Sequence, residues 1–255
     1  MKINARTNKP KLKFAATAIF TSGLVLAVAG PAEAQNVTIG FGEGSGVTER
    51  AVQLIALVTV LSLAPSILIM VTSFTRIVVV LSLLRTAIGV QQSPPNAVVV
   101  SLALFLTAFV MSPVLNKAYD VGIKPLINNE IEISQAFEQA SKPFHGFMLS
   151  HVREKDLGLF MKLSGGETPA TADDVSMRVL VPAFMISELK RAFEIGFLLF
   201  VPFIVIDMVV ASVLMSMGMM MLPPVIISLP FKLIFFVLVD GWHLVAGSLV
   251  ESYGV

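Results

Sequence analysis

From residue 52 onward, long apolar runs alternate with short polar turns, and this alternation draws the elements. The run 52–71 is about one bilayer thickness in helical rise, and Pro65 in its middle predicts a kink. The polar interruption TSFTR ends in Arg76, and a second apolar run, IVVVLSLL, leads to Arg85. QQSPPN is a turn signal, because Pro94 and Pro95 cannot continue a helix and Asn96 can cap the next one. Residues 97–111 predict another long apolar helix, ending near Pro113.

The pattern changes at residue 116. Charges of both signs are interspersed up to 191, and aliphatics recur three to four apart, as in IEISQAFEQA, which predicts amphipathic helices in water or against a partner. SGGETPATADD, 164–174, reads as a solvated loop, with Thr171 or Asp173 as a cap for the helix that follows. Two more apolar segments come after it, 193–214 and 225–250, the second with Pro230 near its start. They are joined by MSMGMMMLPP, and no internal repeat is present. The predicted class is an all-α membrane protein built of long kinked helical hairpins. Residues 51–115 form an N-terminal hydrophobic hairpin region, 116–191 an amphipathic helical region, and 192–255 a C-terminal hydrophobic hairpin with a methionine loop.

Ahead of these elements, Lys2, Arg6, Lys9, Lys11 and Lys13 precede an apolar stretch, then Gly30-Pro31 and Ala32-Glu33-Ala34. This predicts a cleavable signal peptide over 1–34, cut between Ala34 and Gln35, and a flexible leader over 35–50. An uncleaved anchor helix is the alternative. The glycines of GFGEGSG are followed by no lysine and preceded by no strand, so they are not a phosphate loop. The connector 72–96 carries Arg76 and Arg85 and no acid, which places it on the cytoplasmic side, in agreement with an exported N-terminus in a bacterium. Counting spans from there sets 116–191 outside and the methionine connector inward.

Composition supports the membrane assignment. Apolar residues make up 55% and charged residues 14%, with mean hydropathy +0.84, against about 45–50% and about 25% in soluble domains. A net charge of +1 without any basic block argues against a nucleic-acid partner. The absence of cysteine excludes disulfides, zinc thiolates and thiol nucleophiles. Trp242, Tyr119 and Tyr253 are the only amphipathic aromatics, so the interfacial belt is thin, as in chains buried mainly against protein.

Polar groups within apolar segments are the candidates for chemistry, since a charge in lipid demands a partner or a cavity. They are Arg76, Arg85, Asp207, Lys232 and Asp240, with Glu188, Lys190, Arg191 and Glu194 clustered before the penultimate apolar segment. Asp207 reads either as a proton site or as a hydrogen-bonded structural acid. Glu188 and Lys232 could form a charge pair between helices or between subunits. The histidines His145, His151 and His243 make no metal-binding motif, and no nucleophile elbow is present. Catalysis, cofactors and metals are therefore not expected. A small-solute or ion transporter using Asp207 remains an alternative, and an intramembrane hydrolase is a third class.

Five of the first seven residues of MSMGMMMLPP are methionine. Gly218 and Pro223-Pro224 break the helix there, and irregular backbone at membrane depth must be covered by protein or line a cavity. Methionine repacks around irregular shapes. Met219, Met220 and Met221, supported by Met215 and Met217, suit a soft apolar constriction; plain gap-filling at a helix end fits equally well.

MVTSFTRIVVVLSLLRTAIGVQQSPPNAVVVSLALFLTAFVMSPV, 70–114, and RAFEIGFLLFVPFIVIDMVVASVLMSMGMMMLPPVIISLPFKLIFFVLVDGW, 191–242, resemble the two long blocks of the FliP family of flagellar export-gate subunits. Related chains, SctR, occur in virulence type III secretion, but the signal peptide and leader look more like the flagellar branch. The resemblance implies five copies joined with FliQ and FliR into a helical gate through which unfolded flagellar subunits pass. It also implies contacts with FlhA, FlhB and the basal-body ring, in an assembly at the inner membrane lying largely on its periplasmic side. Met219, Met220 and Met221 match the family's methionine gasket. A largely periplasmic assembly conflicts with the simple span count, and makes the apolar hairpins protein-buried.

Overall fold

The computed structural model describes residues 47–90, 93–165, 171, 174–219 and 221–254. The signal peptide, the Ala34/Gln35 junction and residues 35–46 of the leader lie outside them. The described residues divide into two units, with the boundary between Ala56 and Leu57. Every described element is a helix, and no strand occurs among the described residues.

The helices are α1 (Val47–Met70), α2 (Phe74–Ile88), α3 (Asn96–Ala118), α4 (Lys124–Ile127), α5 (Ile133–His151), α6 (Glu154–Ser164), α7 (Met177–Ser216), α8 (Pro224–Leu238) and α9 (Gly241–Glu251). A π-helical turn, Tyr119–Ile123, joins α3 to α4 without a break. Three stretches are long and apolar enough to cross a membrane: Ala51–Met70, Asn96–Ile127 and Met177–Ser216. The pair α8 and α9, bent by 62°, makes a fourth if taken together.

The core of the second unit is built around α2. Ile77, Val80, Leu81, Leu84, Ala87 and Ile88 recur at helical spacing and are all buried. Their main partner is the first half of α7, which turns Leu180, Ala183, Phe184, Ser187, Glu188, Ala192 and Gly196 inward. The two helices approach so closely that a Cβ at Gly196 would stand 2.3 Å from Leu83 Cδ1. Helices α3, α6 and α8 pack around this pair, and α5 bridges α3 and α7. The second half of α7 differs. Phe197, Leu198, Val205, Met208 and Val209 are exposed in the single chain, as are Val58, Leu61 and Leu68 of α1.

Four local expectations are corrected. Pro113 does not end its helix: α3 runs on to Ala118 and through the π-turn, because one missing N–H breaks one hydrogen bond and not the whole ladder. Asn96 does not cap α3; it is the helix's first residue, and its Oδ1 accepts from Arg85 Nη1 instead. Thr171 does not cap α7 either. Its N–H and hydroxyl donate to Asp174 Oδ2 at 3.2 and 2.7 Å, and α7 begins only at Met177; Asp173 lies outside the described residues. The penultimate apolar helix, read from 193, starts sixteen residues earlier (193 − 177). Both 115/116 and 191/192 thus fall inside continuous helices.

Candidate functional site

The methionine stretch is the turn of a helical hairpin. At the end of α7, Gly218 takes φ 74°, its N–H bonds Met215 O at 3.1 Å, and the Met219 N–H bonds Leu214 O at 3.0 Å. This is the Schellman stop, with glycine at the left-handed position because it has no Cβ to clash. Pro223 and Pro224 then launch α8, with Pro224 at the first helical position, where its missing N–H is not needed. Met215, Met217 and Met219 are exposed, and Met221 is 97% exposed. Met220 lies outside the described residues.

Two polar nodes flank α2, one sealed and one partly exposed, and the second ties α7 to α8, the two arms of this hairpin. At the first, Arg76 Nε donates to Glu188 Oε2 at 2.9 Å, and Arg76 Nη2 donates to Glu188 Oε1. Such a bidentate, charge-assisted pair is strong and directional. Both side chains are sealed, at 1% and 0% exposure. Arg76 Nη1 also donates to Ser252 O at 3.3 Å and Ser252 Oγ at 3.0 Å. Tyr253 slides its ring under the guanidinium and donates its hydroxyl to Glu188 Oε2. Burial, reinforced by the Glu188 charge, pushes the Tyr253 phenol well above its ordinary pKa. Beside this node the buried Ser73 hydroxyl has no partner among the described residues.

The second node lies at the other end of α2. Lys232 Nζ donates to Asp207 Oδ2 at 2.6 Å and approaches Ala87 O at 3.5 Å. That carbonyl is among the last four of α2, which lack helical partners and carry the negative end of the helix dipole. Ser228, one turn before Lys232 on α8, donates to the other Asp207 oxygen. The Lys232 side chain is 6% exposed but that of Asp207 is 31% exposed.

Asp207 therefore has its base, although none is near in sequence. The Glu188–Lys232 pair is not formed within the chain, because Arg76 holds Glu188 and Asp207 holds Lys232. Two other candidates are not buried. Arg85 is half-buried and spans the turn to Pro94 and Asn96, and Asp240 is exposed at the α8–α9 bend with φ 50°. The charge cluster at the middle of α7 divides by face: Glu188 points into the core, while Lys190 and Glu194 pair outside at 2.7 Å.

A family model described as the FliP family matches residues 57–249. The chain is also 70% identical over 217 residues to the flagellar biosynthetic protein FliP of Caulobacter vibrioides, covering 85% of this chain and 82% of that protein. The chain belongs to the FliP family. The FliP of Bacillus subtilis is 54% identical over 202 residues, covering 79% of this chain and 91% of its own length. That of Aquifex aeolicus is 47% identical over 237 residues, covering 92% and 96%.

In this FliP-family chain, sequence reasoning found both charges of each node, Arg76 with Glu188 and Asp207 with Lys232, but not their pairing, and it missed the hydroxyl partners. Ser228 carried a faint signal, a hydroxyl one turn from a lysine on an apolar helix. Ser252 carried none, Tyr253 stood out only as an amphipathic aromatic, and both lie beyond the family-matched residues. A third polar group was also missed. Ser187 Oγ and Arg153 Nε both donate to Asp156 Oδ2 at 2.7 Å, joining α6 to α7. Burial works to raise the Asp156 pKa, but the hydrogen bonds from Ser187 and Arg153 and the arginine charge outweigh it, and the carboxyl sits below its ordinary value.

Proposed function

We infer that this membrane protein of the flagellar export apparatus is a structural, channel-forming subunit that passes unfolded flagellar subunits across the inner membrane. The observation carrying this reading is the methionine turn: flexible apolar side chains held in the open, on a hairpin whose two arms are tied by the Asp207–Lys232 pair. Copies arranged in a ring would bring these turns together as a seal that yields to a passing chain, as methionine's adaptability allows. The exposed apolar faces of α1, α3, α7 and α8 exceed what a soluble monomer carries and suit burial against lipid and other subunits.

The same proposal includes five copies assembled with FliQ and FliR, contacts with FlhA, FlhB and the basal-body ring, and a largely periplasmic placement with the mature N-terminus outside. The domain division of 1–34, 35–50, 51–115, 116–191 and 192–255 belongs to it as well. The chain acts without catalysis, cofactor or metal in this reading. The transporter reading loses its basis, because both Asp207 oxygens are engaged and the relatives are named for flagellar biosynthesis.

The test is ion permeability of cells in which Met219, Met220 and Met221 are all alanine, with assembly and motility followed in the same strain. A leaking, assembled complex supports the seal. An assembled complex without leak, or failure to assemble, makes the methionines packing residues.

A further inference from the structure

We propose that Lys232 is a releasable catch: through Asp207 and the Ala87 carbonyl it holds α8 against α7 and the end of α2, while the Arg76–Glu188–Tyr253 node stays shut as a fixed pivot. Three observations carry this.

The two nodes are unequal in exposure. Glu188 is fully buried and accepts from Arg76 and Tyr253, whereas the Asp207 side chain is 31% exposed and accepts from one lysine and one serine. Asp207 thus keeps part of its surface open in the single chain, and a polar group that reaches it there lowers the cost of separating the charges. Opening the first node would strand a carboxylate and a guanidinium away from water.

Packing is also thin on the tip side of the second node. An apolar groove of about 470 Å³ is lined by Val205, Val209, Val213 and Leu214 of α7 and by Ile227 and Phe231 of α8. The groove leaves these apolar side chains open on one side, so fewer of them are enclosed between α7 and α8 than in the closed core around α2.

The contacts of the catch converge on one point. Ser228 and Lys232 are both on α8, both reach Asp207, and Lys232 alone continues to α2. Withdrawal of the Lys232 ammonium removes the polar ties of α8 to both helices at once.

This deepens the channel reading and rests on it for purpose, but its test does not. Amide hydrogen exchange is measured on the complete chain in its membrane assembly for the wild type, Lys232→Met, Ser228→Ala and the charge swap Asp207→Lys with Lys232→Asp. Lys232→Met is expected to speed exchange over 224–231 on the order of tenfold, as local opening requires, while the first half of α7 keeps its protection. Ser228→Ala is expected to give a smaller change in the same place, and it keeps the test alive if Lys232→Met does not assemble. The swap is expected to restore part of the protection, since the ion pair returns but a carboxylate at position 232 cannot donate to the Ala87 carbonyl. Unchanged exchange in the Lys232 and Ser228 variants, or loosening spread equally over α2 and all of α7, overturns the catch. Ion permeability is read in parallel: faster exchange without any leak keeps the catch and removes the sealing role of the hairpin.

Discussion

The guanidinium carbon of Arg76 lies 3.9 Å from the centre of the Tyr253 ring. The contact joins the first turn of α2 to the residues after α9, and the same tyrosine donates its hydroxyl to the carboxylate that neutralises Arg76. Charge, ring and hydroxyl thus form one closed unit.

Tyr253→Phe keeps the ring under Arg76 and removes only the hydroxyl. It is expected to cost about 1.5–3 kcal/mol, the range for a hydrogen bond to a charged group. Tyr253→Ala also opens a cavity beside Phe147 and His151, raising the cost to about 3–5 kcal/mol. The thermal midpoint of the purified complex measures both. The pH dependence separates the hydroxyl from the ring. Because the folded phenol has a raised pKa, its stabilisation is complete below the ordinary value of about 10 and is lost as pH rises beyond it toward the folded value. The phenylalanine variant should lack this alkaline loss, and equal slopes in the two proteins would refute the contribution.

Removing one charge of the sealed pair should be worse than removing both. Glu188→Gln leaves the Arg76 guanidinium buried without a counter-charge, a defect worth about 3–5 kcal/mol. Arg76→Met with Glu188→Met removes both desolvated ions and should recover much of the assembled complex lost in the single variant. Quantifying assembly in detergent extracts decides the matter, and a double variant no better than Glu188→Gln would mean that specificity, not charge burial, dominates.

Gly196→Ala tests the close approach of α2 and α7. The new Cβ would lie 2.3 Å from Leu83 Cδ1 and 3.3 Å from Leu83 Cβ and Cγ. A rotamer change relieves the first contact but not the others, so a loss of about 1–3 kcal/mol is expected. Leu83→Ala in the same chain removes the obstructing Cδ1 and Cγ and should restore part of that loss. Additive rather than compensating effects on the thermal midpoint would show that the two residues do not touch.

The sequence made some of this legible through local rules. Apolar period and length gave the all-helical membrane class, and Gly218 with Pro223-Pro224 gave the methionine turn, because a left-handed glycine and a proline start act within a few residues. What it hid depends on distance along the chain. Arg76 read as a charge on a connector, yet the connector is largely the central helix α2, and its arginine is in the core; only Arg85 remains near the surface for an orientation argument. Glu188 and Lys232 were recognised as costly charges, but composition cannot say which cation meets which acid. The start of α7 was hidden for a related reason. The mixed charges around Arg191 looked like a helix boundary until the fold assigned them to opposite faces of one helix.

The sealed node also sets a clock. Glu188 follows Arg76 by 112 residues, and Ser252 follows it by 176. At synthesis rates of about 5–20 residues per second, roughly 6–22 s separate the arginine from its counter-charge, and longer still from its last partners. Throughout that interval α2 has left the ribosome as an apolar segment with an unmatched cation. The helix at the centre of the finished core is thus made early and seated late.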